Sequence, residues 1–190
     1  MLHAVSLAIV LQLSNLAGVP QSVVADAQTE VARVYSAIGV PVRWQSPAQS
    51  PNHPIDNHPI HIVLLPMETG DLRRITDTVM GAAVRTKQGT GVAYVYYRRV
   101  EQQAAQHAVS IAMVLACAMS HELGHLLLGS RGHSPTGLMR ACWRRAEFHQ
   151  AVQGHLRFSA EESADIRAHL SELEALVEHH GGNGTRDELQ

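Results

Sequence analysis

The chain has 190 residues, of which 45% are hydrophobic and 17% are charged, and its formal net charge at pH 7 is -2. This balance is typical of a globular protein that buries a core without metal or disulfide staples, and it excludes a disordered chain. It also provides no basic field that would attract nucleic acid or an anionic membrane.

The predicted elements follow the order β-α-β-β-β-β-α, then irregular chain and a last helix. A continuous apolar run over residues 6–14 is typical of a buried strand. A signal sequence explains this segment less well, because no Lys or Arg precedes it, although Ala-Asp-Ala at 25–27 resembles a cleavage site. Pro20 opens a helix that Gly39 stops. Its apolar stripe consists of Val24, Ala27, Val31, Val34 and Ile38.

Four more segments of the first half are predicted to be strands. Residues 40–44 form a short one, in which Pro41 indicates a strand start or a sheet edge. Residues 61–65 form another buried strand. Residues 81–86 and 92–100 flank a Gly-containing turn, a pattern typical of a hairpin.

The second half is predicted to be mostly helical. A single helix from Gln102 to Leu128, ended by Gly129, is rich in Ala, Val and Leu, but polar residues interrupt it, which favours a core helix over a membrane span. Ser-Ala-Glu-Glu at 159–162 is a capping box that begins the last helix. The apolar face of that helix consists of Ile166, Leu170, Leu173 and Val177. We predict an α/β (α+β) fold with a mixed sheet, in a single domain over residues 1–180 followed by a flexible tail over 181–190.

The segment HELGH lies near the end of the long predicted helix. Residues four apart share a helix face, so His121 and His125 can point two imidazoles at one zinc ion. Glu122 lies one residue further round, where its carboxylate can take the proton of a metal-activated water molecule. This pattern predicts metal-assisted hydrolysis with one catalytic zinc ion.

A catalytic zinc site needs a third protein ligand and an open position. His133 is the first histidine after the predicted helix, and the eight residues from His125 to His133 are ample chain to turn back to the metal. Met139 follows six residues later, after a Pro-Thr-Gly turn.

The HELGH helix, its terminal glycine, the following His-Ser and the Gly-Leu-Met at 137–139 resemble the metzincin clan of zinc peptidases, nearest to its matrixin-like members. The match is close over about residues 120–140 and otherwise extends to the order of elements. The resemblance implies that the zinc ligands are His121, His125 and His133. It also implies that Glu122 is the general base and that Met139 belongs to a methionine turn, packed under the zinc without binding it.

The same resemblance implies a zinc-dependent endopeptidase with a peptide or protein substrate, and it favours a secreted or extracytoplasmic location. The edge strand over 81–86 would bind an extended peptide by strand addition. Two features depart from the clan. The loop before His133 is two residues longer than usual, with Leu128 where the motif has glycine, and no tyrosine follows Tyr97.

Two other functions also fit the sequence. One is a zinc-binding module without proteolytic activity, closed by a fourth protein ligand. The other is a gluzincin-like peptidase with Glu161 as third ligand, because residues 161–165 match an ExxxD pattern, although the capping box explains the same acidic residues. Further candidate ligands are Cys117, Glu147 and His149, and a second metal site is conceivable around His53, His58 and His61. Cys117 and Cys142 could form one disulfide.

Overall fold

A computed structural model of the chain describes residues 8–46, 59–67, 79–85, 91–129 and 132–181, with side chains described as far as 176. These residues form the expected α+β fold, with five strands and five helices. The strands are β1 (Ile9–Asn15), β2 (Val42–Gln45), β3 (Ile60–Leu65), β4 (Gly81–Arg85) and β5 (Gly91–Tyr96). The helices are α1 (Gln21–Ser36), α2 (Tyr97–His107), α3 (Ile111–Leu127), α4 (Arg145–Val152) and α5 (Ala160–Gly181).

The strands form one mixed sheet in the order β2-β1-β3-β5-β4. The first four are parallel to one another, and β4 pairs antiparallel with β5, in the register Gly81 to Val95 and Arg85 to Gly91. The expected hairpin is therefore confirmed, although its turn over 86–90 lies outside the described residues. Pro41 immediately precedes β2, and β2 is an edge strand. Both observations agree with the prediction, because proline has no backbone N–H to donate within a sheet.

Helix α1 crosses over between the parallel strands β1 and β2, and it begins directly after Pro20 as predicted. All five residues of its predicted apolar stripe are buried, and so is Tyr35. The chain turns at Gly39, which has a φ of +77°. This left-handed conformation favours glycine, which explains why the helix stops here.

Two predicted boundaries in the middle of the chain are wrong. The second arm of the hairpin does not extend to residue 100, because β5 ends at Tyr96 and α2 begins at Tyr97. The single helix over 102–128 is divided into α2 and α3 by Ala108, whose φ is +52°. The backbone N–H of Val109 donates to the carbonyl of Ala104 at 3.0 Å, a closing bond typical of a helix C-terminus. The division lets α3 run through the core in its own direction.

The end of the chain differs from the prediction in two details. Helix α4 lies in a segment expected to be irregular. The capping box before α5 is confirmed, since the N–H of Glu162 donates to Ser159 Oγ at 3.1 Å and the N–H of Ser159 donates to Glu162 Oε2 at 2.7 Å. On the predicted apolar face Ile166 and Leu170 are buried, but Leu173 is 44% exposed. The side chain of Val177 and the predicted tail beyond Gly181 lie outside the described residues.

Helix α3 is the central element of the core. It packs against α1, α2, β4 and β5, and most of its side chains are buried. Among the described residues, no helix combines the length and the apolar character that crossing a membrane requires. Both cysteines are thiols, so the disulfide considered above is not formed: Cys117 is buried in α3, and Cys142 is exposed.

Candidate metal centre

Helix α3 and the loop after it bring three predicted ligands together. The Nε2 atom of His125 lies 3.1 Å from Nε2 of His121 and 3.2 Å from Nε2 of His133. The ligand atoms of the three side chains all lie within 4.8 Å of one another. Two nitrogens bound to one tetrahedral zinc ion at the usual bond length are about 3.3 Å apart, so these separations are suited to a shared ion.

The other ring nitrogen of His121 shows how this imidazole is oriented. Its Nδ1 lies 2.8 Å from the carbonyl oxygen of Leu138, which can only accept a hydrogen bond. Nδ1 therefore carries the proton, and in the neutral ring Nε2 keeps a lone pair directed at the other histidines. Burial lowers the pKa of His121 to about 4 and also lowers the pKa of His125, which favours the neutral form of both rings.

Trp143 is a neighbour of the ligands that sequence reasoning missed. Its indole N–H donates to the same Leu138 carbonyl at 3.2 Å, and its ring meets the His121 ring edge-on, with 5.7 Å between the centroids. Both contacts depend on the turn that precedes Trp143. No spacing rule in the sequence predicts a bond to a backbone carbonyl.

Glu122 lies beside the histidines but has a different environment. Its side chain is 7% exposed, and burial raises the pKa of its carboxyl to about 8. A Cβ atom at Gly81 of β4 would lie 2.6 Å from Glu122 Cγ, so the carboxyl-bearing side chain touches the backbone of the edge strand. Only glycine at position 81 permits this close approach.

Met139 packs against the histidine-bearing turn of α3. It is fully buried, and its Sδ would lie 2.5 Å from a Cβ atom at Gly124, the residue that precedes His125. The N–H of Arg140 donates to the carbonyl of Gly137 at 3.3 Å, which closes a turn that has Leu138 and Met139 at its centre. Gly137, the first residue of this turn, has a φ of +77°, a left-handed conformation that favours glycine.

The remaining candidate ligands lie elsewhere. Among the described residues, the group that could hold a metal ion consists of the three histidines alone, so it includes neither Glu161 nor Cys117. Glu147 instead accepts hydrogen bonds from the Arg140 side chain and from the N–H of Arg144. The other candidates outside the group are His149 and His61. His53 and His58 lie outside the described residues.

The three histidines and Glu122 face an open cleft of about 590 Å³. Its lining includes the edge strand β4, through Gly81, Ala82 and Ala83, and the segment over 140–143. Arg85 fixes the end of β4 to the end of α3, because its Nε–H donates to the carbonyl of Leu126 at 3.1 Å. Residues of β4 and the three histidines therefore border the same cleft.

Comparison with known proteins gives a likeness in fold to solved structures. The sequence matches no protein-family model and no curated protein. The fold is similar to the crystal structure of a zinc-dependent peptidase from Methanocorpusculum labreanum (strain Z), with a TM-score of 0.52 and 14% sequence identity. The likeness covers 82% of this chain and 99% of that chain. At 14% sequence identity, this likeness is evidence for a shared fold alone.

Proposed function

We propose that this protein is a zinc-dependent endopeptidase of the metzincin type. The observation that carries the proposal is the convergence of three imidazole Nε2 atoms, which line one open cleft together with the side chain of Glu122. The likeness in fold to a zinc-dependent peptidase supports it. The metzincin assignment rests on the HELGH segment, on His133 and on the turn that contains Met139.

The donor set fits zinc. Three neutral imidazoles are a ligand set that catalytic zinc sites use, and they leave a fourth position for water or substrate. His121, His125 and His133 would hold the ion. Zinc bound there would act as a Lewis acid that activates a water molecule and polarises the scissile carbonyl.

The chain's own groups account for the remaining steps. Burial raises the pKa of Glu122 in the metal-free chain, and a zinc cation bound at the histidines would lower it again, because a nearby positive charge favours the carboxylate. In that ionised form Glu122 accepts a proton from the attacking water and later delivers it to the leaving amine nitrogen, as a general base and then a general acid. The outer edge of β4 offers backbone N–H and C=O groups along the cleft, and an extended peptide binds there antiparallel by strand addition. Met139 packs against Gly124 and so keeps the ligand-bearing turn in place.

The test is a pair of variants that separate hydrolysis from metal binding. Glu122→Gln keeps the side-chain shape but cannot take a proton, so we expect one zinc per chain and a loss of peptide hydrolysis of about 10²- to 10⁴-fold. His133→Ala should lose zinc and hydrolysis together. Zinc content by atomic emission and cleavage of an unfolded protein substrate provide the two readouts.

The alternatives predict different results. A zinc-binding module would hold zinc but show no hydrolysis in the wild type. A gluzincin-like peptidase would keep its zinc in His133→Ala and lose it in Glu161→Ala.

A further inference from the structure

His133 is the exposed member of the histidine group, so packing alone does not hold its imidazole beside the two helical histidines. It also lies at the end of a loop that is two residues longer than the metzincin spacing. Ordering a loop costs conformational entropy for each residue that is fixed. An interaction that orders the chain next to His133 would offset this cost.

The next residue, Ser134, makes contacts on both sides of the loop. Its backbone N–H donates to the carbonyl of Met139 at 2.8 Å, which joins the loop to the methionine turn. Its hydroxyl donates to the Oε1 atom of Glu162 on α5, 28 positions along the chain. The side chain of Ser134 therefore links the loop to a helix that is remote in sequence.

Glu162 is suited to this link by its surroundings. The residue is only 4% exposed, and its second carboxylate oxygen, Oε2, accepts the N–H of Ser159 at 2.7 Å. The carboxylate thus divides its two oxygens between the helix cap and the loop. Hydrogen bonds to an ionised acceptor are stronger than neutral ones, and a carboxylate in the first turn of a helix is favoured by the helix dipole.

We propose that Ser134 and Glu162 are positioning residues for the metal ligand His133. This inference rests on the proposed function, since it assumes that the three histidines bind zinc. The bond from the Ser134 hydroxyl to the Glu162 carboxylate fixes the backbone directly after His133. It compensates for the added loop length and keeps the imidazole within reach of the ion.

Two serines allow this role to be separated from helix capping. Ser134→Ala removes the bond to the loop but leaves both hydrogen bonds of the capping box. Ser159→Ala is the matched control, because it removes the hydroxyl that accepts the N–H of Glu162 but leaves the bond from Ser134. Ser134→Thr restores a hydroxyl and serves as the rescue variant.

The measurements are the zinc dissociation constant, from competition with a chromophoric chelator, and the absorption spectrum of the Co²⁺-substituted protein. We expect Ser134→Ala to raise the dissociation constant about 10- to 100-fold, as changes to groups that orient ligands do, and to alter the Co²⁺ bands. Ser159→Ala should leave both near the wild-type values, and Ser134→Thr should recover most of the affinity. If Ser134→Ala does not fold, Glu162→Gln is compared with Ser159→Ala, because both change the capping box and only Glu162→Gln also weakens the bond from Ser134.

Other outcomes separate the two proposals. Suppose that the wild type binds zinc and cleaves substrate, and that Ser134→Ala has the same zinc affinity and the same Co²⁺ bands as the wild type. This result would overturn the positioning role alone. Equal weakening by Ser159→Ala would also overturn it, since capping would then be the cause. A wild type that binds no zinc would remove the proposed function and this inference together.

Discussion

At the scale of single residues, one backbone carbonyl connects the turn that contains Met139 to the histidine group. Leu138 O accepts both the Nδ1–H of His121 and the indole N–H of Trp143. A carbonyl oxygen has two lone pairs, so both bonds can form at once. The orientation of His121 therefore depends on Trp143 as well as on the helix.

We predict that Trp143→Phe weakens zinc binding several-fold, because it keeps an aromatic ring but removes the donor that holds the Leu138 carbonyl. Trp44→Phe is the control: the indole N–H of Trp44 also donates to a backbone carbonyl, that of Gln28 at 3.3 Å, but lies on the edge strand β2. Zinc affinity measured by chelator competition should fall only in Trp143→Phe. Equal effects of the two substitutions would contradict this role.

A second prediction concerns Gly124. Alanine favours a helix by about 1 kcal/mol over glycine, but here its Cβ would meet Met139 Sδ at 2.5 Å and the Phe158 ring at 2.9 Å. Overpacking should prevail, so we expect Gly124→Ala to lower the free energy of unfolding by about 1–3 kcal/mol in urea titrations. A Cβ atom added at Gly132 would have no other atom within 4 Å, so Gly132→Ala should change the free energy of unfolding little. A stabilised Gly124→Ala would show that Met139 moves aside freely.

These residues show which parts of the site can be predicted from the sequence. His121, Glu122 and His125 follow from local helix spacing, and His133 follows from its distance along the chain. The bond between Ser134 and Glu162 and the role of Trp143 do not follow, because they depend on tertiary contacts and on a backbone carbonyl. Neither leaves a periodic pattern in the sequence.

At the scale of elements, the strands and α1 follow from apolar patterning, whereas the division between α2 and α3 does not. Alanine is the best helix former, so the Ala-rich chain around Ala108 indicates a continuous helix. Glycine, the usual signal for a left-handed helix end, is absent at this position. The two helices α2 and α3 instead pack against each other, a tertiary contact that local helix propensity does not encode.

The left-handed residue at the end of α2 leads to a prediction about the direction in which glycine changes the free energy of unfolding. A left-handed conformation costs a non-glycine residue about 1–2 kcal/mol, while glycine loses about 0.5–1 kcal/mol more than alanine through unfolded-state entropy. Ala108 is exposed, so we expect Ala108→Gly to raise the free energy of unfolding by about 0.5–1 kcal/mol. Ala105→Gly, at an exposed position within α2, should lower it by a similar amount. If both variants are destabilised in urea titrations, Ala108 is not strained.

At the scale of the whole molecule, the proposed metal ligands belong to the element that organises the core. The hydrophobic cluster extends from β1 to α5, and α3 contributes more of its residues than any other described element. Zinc bound to the native histidine group would therefore stabilise the whole fold, because the unfolded chain does not preform the site. Cys117, on the same helix, provides a probe of that coupling.

Burial raises the pKa of the Cys117 thiol to about 12, so at pH 8 the folded chain holds it protonated, whereas alkylating reagents attack the thiolate. In a Cys142→Ser background, which removes the exposed thiol, iodoacetamide should modify Cys117 only when the chain opens. Free zinc at 100 times its dissociation constant would add about 2.7 kcal/mol to the opening free energy and slow modification about 100-fold. His133→Ala should show no such slowing.

The contrary outcome is a wild type that binds zinc but is modified at an unchanged rate. Cys117 would then become accessible by a local opening that leaves the histidine group intact. In that case α3 is not the single cooperative element that its burial indicates.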